Sequence, residues 1–155
     1  MINDALLKSV YLFADLDGRQ RAEFAAMAEA VTLPAEHTIF GVGDPATALY
    51  LIQDGTVRIT STAQSGRLID VATLGSGSHF GEMALVDKAP RSATAQTLEP
   101  TSLFRFDYDK IRALLDRSPP IASTFYHALA YFLSNRLRQT TTDLTFAREK
   151  NLRYF

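Results

Sequence analysis

A mainly β domain with flanking helices is what this sequence predicts, and three observations carry that prediction. From Val31 onward, short apolar runs recur at intervals of roughly ten residues, separated by Gly, Pro and Asp, the pattern of an antiparallel sandwich or barrel. Ahead of them the apolar residues fall at helical spacing. Behind Asp107 helical spacing returns.

The elements follow in order. Within residues 4–12, Leu6, Leu7, Val10 and Tyr11 predict an amphipathic helical turn or two. Asp17 with Gln20 three residues later forms a capping-box signal. Phe24, Met27, Ala28 and Val31 then sit at i, i+3, i+4 and i+7, which predicts a helix over residues 18–30 whose stripe packs on a core. Strands are expected at 38–40, 49–52, 56–60, 68–74 and 103–106. Asp54-Gly55 between the second and third is a strong hairpin cue, and Ser65-Gly66 marks another. Asp107 can cap a helix carrying Ile111, Leu114 and Leu115. Ser118 followed by Pro119 is the favoured order for starting the next, which meets no Gly or Pro from Ile121 to Lys150. The expected organisation is a single domain over 1–155: N-terminal helices at 1–30, the β region at 31–107, and C-terminal helices at 108–155. No internal repeat is visible.

Composition narrows the function classes. The 155 residues are 46% hydrophobic and 21% charged, and the net charge of −1 offers no global attraction to nucleic acid or an anionic membrane. No cysteine is present, so disulfides and thiolate metal sites are excluded. Asp4 and Lys8 make the N-terminus a poor signal peptide. The longest apolar run, residues 125–133, is too short to span a bilayer and contains His127. A cytoplasmic protein without membrane association is expected. The histidines, His37, His79 and His127, lack metal-ligand spacing, and no phosphate-binding G-x-x-x-x-G-K-[ST] loop or Ser–His–Asp grouping occurs. The chain is not expected to be an enzyme or to need a metal or cofactor.

Residues 75–96, GSGSHFGEMALVDKAPRSATAQ, organise the rest. Gly75, Gly77 and Gly81 free the backbone for tight turns. Residues 81–85 can form one short helical turn, whose unpaired N–H groups favour an anion. Arg91, nine residues after Glu82, carries a planar fork suited to two parallel hydrogen bonds with a phosphate. An acid beside an anion seat makes sense when the ligand also presents a hydroxyl donor, as a sugar phosphate does.

This stretch, F-G-E-M-A-L, five residues, then R-S-A-T, resembles the phosphate-binding cassette of the cyclic-nucleotide-binding domain family. The resemblance covers nearly the whole chain. It implies a jelly-roll-like β-barrel with N-terminal helices, a short cassette helix and two C-terminal helices. By the same resemblance, Arg91 would grip the exocyclic oxygens of a cyclic phosphate, helped by backbone N–H groups around Met83 and Ala84. Glu82 would accept the ribose 2′-OH, and Gly81 would let the backbone approach the sugar. Ser92 and Ala93 sit where the family touches phosphate and base. In the final helix, Arg136-Leu137-Arg138-Gln139-Thr140 resembles the base-contacting helix of the family's catabolite-activator branch, displaced by one turn. Either the helix is shifted and Thr140 faces the base, or Arg136 does.

The implied function is a stand-alone cyclic-nucleotide receptor, for cAMP with cGMP as the alternative, acting as a regulatory or sensory module. Its downstream protein partner is not named by the sequence. No output domain is expected within the 155 residues, so no direct DNA binding is expected either. The rival is a nucleotide-blind scaffold of the same fold that recruits a partner through its long C-terminal helix. That helix also carries Tyr126, Ala130, Leu133, Leu137, Thr140, Leu144, Ala147 and Asn151 at alternating spacings of four and three, a coiled-coil seam. With two Ala, a Thr and an Asn among them, the seam predicts a weak homodimer. Phe125, Leu129 and Phe132, on another face, are expected to pack on the β region.

Overall fold

The computed structural model describes residues 1–152, and the last three residues of the C-terminal region lie outside it. Three short helices open the chain: α1 (Asp4–Ser9), α2 (Tyr11–Ala14) and α3 (Gly18–Met27). The predicted turn within residues 4–12 is thus two helices, broken at Val10, whose ψ of 127° is extended. The Asp17–Gln20 capping box is formed in both directions. α3 stops at Met27, three residues earlier than the apolar stripe suggests, because Ala28 turns extended and Glu29 already pairs with Arg105. The β region therefore begins at Glu29.

Eight strands follow: β1 (Glu29–Leu33), β2 (Thr38–Phe40), β3 (Ala48–Asp54), β4 (Val57–Thr62), β5 (Leu68–Leu74), β6 (His79–Phe80), β7 (Thr94–Thr97) and β8 (Thr101–Asp107). They form two four-stranded sheets, ordered β1-β8-β3-β6 and β2-β7-β4-β5, with every pair antiparallel. This is the jelly-roll-like architecture expected, its strands falling into two sheets that do not close into one ring. The lateral strands β2 and β6 are only three and two residues long, too short to continue the hydrogen-bonded ladder around a ring. The Asp54-Gly55 hairpin requires its glycine. Gly55 has φ 110°, and a Cβ there would meet Thr101 at 2.4 Å.

Between β6 and β7 lies α4 (Met83–Asp87), and after β8 come α5 (Tyr108–Arg117) and the long α6 (Pro119–Leu152). Asp107 caps α5 through the N–H groups of Asp109 and Lys110. The apolar interior falls into two clusters. One joins the helices to the β3–β8 face and is dominated by Phe13, Phe24, Phe106 and Phe125. The other, around Ile52, Val57, Phe80, Ala95 and Leu103, is flanked by Phe40, Ile59 and Leu74, which reach the cavity described below. Each such side chain fully buried stabilises the fold by about 1.5–3 kcal/mol.

α6 is anchored only by its first half. Ile121, Phe125, Ala128 and Leu129 are buried, and Tyr131 stacks on Tyr11 of α2 with ring centroids 5.2 Å apart. The Phe125, Leu129 and Phe132 face does pack inward, Phe132 against His79 at 4.3 Å between centroids. From Ser134 to Asn151 every residue is exposed. No helix among the described residues is long and apolar enough to cross a membrane.

Candidate functional site

Arg91 is built into the fold from its backbone outward. Its N–H donates to Asp44 O at 2.9 Å and its carbonyl accepts from Gly43 N at 2.8 Å, which pins it to the turn after β2. Its side chain runs inward and is only 6% exposed. Nη1 donates to Gly81 O at 3.2 Å and to the Tyr108 hydroxyl at 3.0 Å, while Nη2 donates to Ala48 O at 2.7 Å. The Phe40 ring lies flat beneath, 4.0 Å from the guanidinium carbon. All these acceptors are neutral, so no carboxylate pairs with the guanidinium through them, and its buried Nε has no hydrogen-bond partner among the described residues.

Gly81 makes this approach possible. Its φ of 84° is left-handed, and a Cβ there would stand 2.8 Å from Arg91 Nη1. Glu82 then caps α4, which ends at Lys88 in a left-handed conformation. The Glu82 carboxylate is buried, forms no ion pair with Arg91, and accepts no hydrogen bond from the protein among the described residues. His79 Nδ1 lies 3.7 Å from Glu82 Oε2. Both ring nitrogens of His79 are themselves buried and unpartnered. Polar groups buried without partners carry a penalty of about 1–3 kcal/mol each, so several gathered at one place call for a ligand.

They are gathered at a cavity of about 730 Å³, counting the part open to solvent. Its walls include Gly81, Glu82, Met83, Ala84, Arg91, Ser92, Ala93 and Arg136. Eight of the nine residues anticipated from sequence are thereby brought together. The ninth, Thr140, is not: it is exposed, one helical turn beyond Arg136, and does not line the cavity. Of the two alternatives for α6, this register brings Arg136 to the site. Met83 and Val86 are exposed, and Ser92 Oγ reaches Met83 Sδ at 3.8 Å.

Sequence reasoning missed four contributors: Phe40, His79, Tyr108 and Phe132. His79 lies two residues before Gly81, inside the central stretch, where its spacing speaks only against a metal site. Phe132 had been assigned to packing, which it does, but it also walls the cavity. Phe40 and Tyr108 reach Arg91 through sheet topology and carry no local signal. Among the described residues no group of three or more His, Cys, Asp or Glu side chains is placed to hold a metal.

The cavity thus presents a guanidinium and a separate carboxylate that do not pair with each other. The Cyclic AMP receptor protein of Thermus thermophilus is 42% identical over 114 residues, covering 72% of this chain, and the chain spans half of that protein's length. The N-terminal domain of a transcriptional regulator from Streptomyces coelicolor superposes with a TM-score of 0.75 at 34% identity, covering 88% of this chain and 95% of that one. A c-di-GMP-responsive global regulator from Xanthomonas campestris superposes at 0.72 with 28% identity, covering 83% and 63%. The family model for the cyclic nucleotide-binding domain matches residues 30–118. The chain belongs to the cyclic nucleotide-binding domain family.

Proposed function

We propose that the cavity receives a 3′,5′-cyclic nucleotide, cAMP in the first instance, and that the chain is a regulatory module read out through a partner or through self-association. One observation carries the reading. A buried, charge-retaining arginine with a free Nε and a buried carboxylate with no protein donor face the same cavity without neutralising each other. Arg91 suits the phosphate and the first-turn N–H groups of α4 supplement it. Glu82 suits the 2′-OH, the free ribose hydroxyl of such a ligand. Ile59, Leu74 and Phe132 supply apolar surface for a base, with Arg136 above it. The 42% identity to a protein named for cyclic AMP supports the choice of nucleotide.

A thermal melt with cAMP, cGMP and c-di-GMP tests the proposal. A ligand at 100 times its dissociation constant adds about 2.7 kcal/mol, equivalent to a rise of about 5–11 °C for a domain of this size. The largest rise is expected with cAMP. A melt unmoved by all three at millimolar concentration would instead favour the nucleotide-blind scaffold.

A further inference from the structure

We propose that Tyr108 is the positioning residue of the phosphate grip: its hydroxyl fixes the Arg91 guanidinium so that the Nε side is presented to the ligand. This rests on the cyclic-nucleotide reading of the cavity.

Tyr108 is the first residue of α5 and is held on both sides. Its N–H donates to Thr47 O at 2.9 Å, and the preceding Asp107 caps the helix. The ring is fully buried, so the hydroxyl has a fixed address. That hydroxyl accepts from Arg91 Nη1 and donates to Gly81 O in a short hydrogen bond. A guanidinium has five N–H donors. Gly81 O and the Tyr108 hydroxyl lie together on one side of Nη1 and share one of its hydrogens, and Ala48 O takes one of Nη2. The donors left over are Nε–H and one hydrogen on each Nη, of which Nε–H and the neighbouring Nη2 are suited to parallel bonds with two phosphate oxygens.

The choice of a phenol matters. Burial pushes the Tyr108 ionisation up from its ordinary value, and the nearby Arg91 charge only partly opposes this. The hydroxyl therefore keeps the proton it donates to Gly81 O. A carboxylate at the same place would also orient Arg91 but would cancel its charge, weakening its pull on a phosphate. A neutral phenol orients the cation and leaves the charge for the ligand. Its acceptor also occupies the Nη1 hydrogen that would otherwise let the fork swing about Cδ–Nε.

The test is Tyr108→Phe, which keeps the ring and removes only the hydroxyl, with two readouts. In the ligand-free protein, the Arg91 Nε–H resonance, assigned by its loss in Arg91→Lys, is expected to be sharp and slowly exchanging in the parent and broadened or shifted in the variant. With ligand, calorimetry compares cAMP and its Rp and Sp phosphorothioates, in which sulfur replaces one or the other exocyclic oxygen. The variant should bind cAMP about tenfold more weakly, the loss expected for one hydrogen bond to a charged group. Its preference between the two diastereomers should shrink toward unity. A merely structural role would weaken both alike, and an unchanged Rp-to-Sp ratio would overturn the proposal. If the parent bound no cyclic nucleotide, the functional reading would fall by itself. The resonance would still decide Tyr108, because an Arg91 signal unaltered in the variant refutes its positioning role.

Discussion

The cavity has two walls of different construction. One, from the loop around Gly81 through α4 to Arg91, is fastened: Glu82 and Arg91 are each less than a tenth exposed, and Arg112 reaches from α5 to the carbonyls of Ala84 and Leu85 at 3.4 and 3.3 Å. The other is the stretch of α6 at Phe132 and Arg136, where packing runs out. Phe132 is half-buried, Arg136 is exposed, and so is every residue after it up to Asn151. An isolated helix of that length is marginal in water. Under the proposed function the difference would assign separate jobs: the fastened wall would supply affinity, and the thinly supported wall the response, because a ligand that touches Arg136 would favour the ordered helix.

The strongest way to break this comparison is at the fastened wall. Arg91→Ala should remove measurable binding of cAMP in calorimetry, since losing one partner of a buried charge pair costs about 2–5 kcal/mol. Arg91→Lys should be impaired too, because an ammonium cannot reproduce the fork. Binding by Arg91→Ala within threefold of the parent would place the affinity elsewhere.

A smaller effect is expected at the other wall. Tyr126, Leu137 and Leu144 on the seam are 45%, 67% and 50% exposed, while Leu133 is partly engaged with the helical core. A second copy covering that seam should form a weak dimer, tightened by ligand through linkage. In sedimentation velocity across a concentration series, saturating cAMP should raise the dimer fraction of the parent. Leu137→Asp should remain a monomer that binds nucleotide normally. A parent that stays monomeric at high concentration with ligand would make the seam an exposed stripe only.

The two walls also differ in how legible they were in the sequence. The fastened wall was readable because Gly81, Glu82 and Arg91 lie within eleven consecutive residues, and backbone chemistry links glycine, short helix and arginine locally. Ala48 and Tyr108, which hold Arg91, come from 43 and 17 positions away and meet it only through the pairing of β3 with β8. No local pattern reports such a meeting. Helical periodicity misled at the end of α3, where Ala28 and Val31 continue the stripe but belong to the connection and to β1, which faces the second apolar cluster. In α6, spacing predicted a continuous helix yet could not choose between Arg136 and Thr140. That choice depends on where Phe125 and Leu129 dock, a packing relation between distant segments.

The central claim is that Glu82 and Arg91 read one ligand from two ends, a hydroxyl and a cyclic phosphate. Calorimetric titration of the parent with cAMP and with 2′-deoxy-cAMP tests it most directly, because the two ligands share phosphate and base and differ by one hydroxyl. Without that donor the buried Glu82 carboxylate is left unpaired, at a cost of about 1–3 kcal/mol. The deoxy analogue should therefore bind about tenfold or more weakly. Equal affinities for the two would contradict the account.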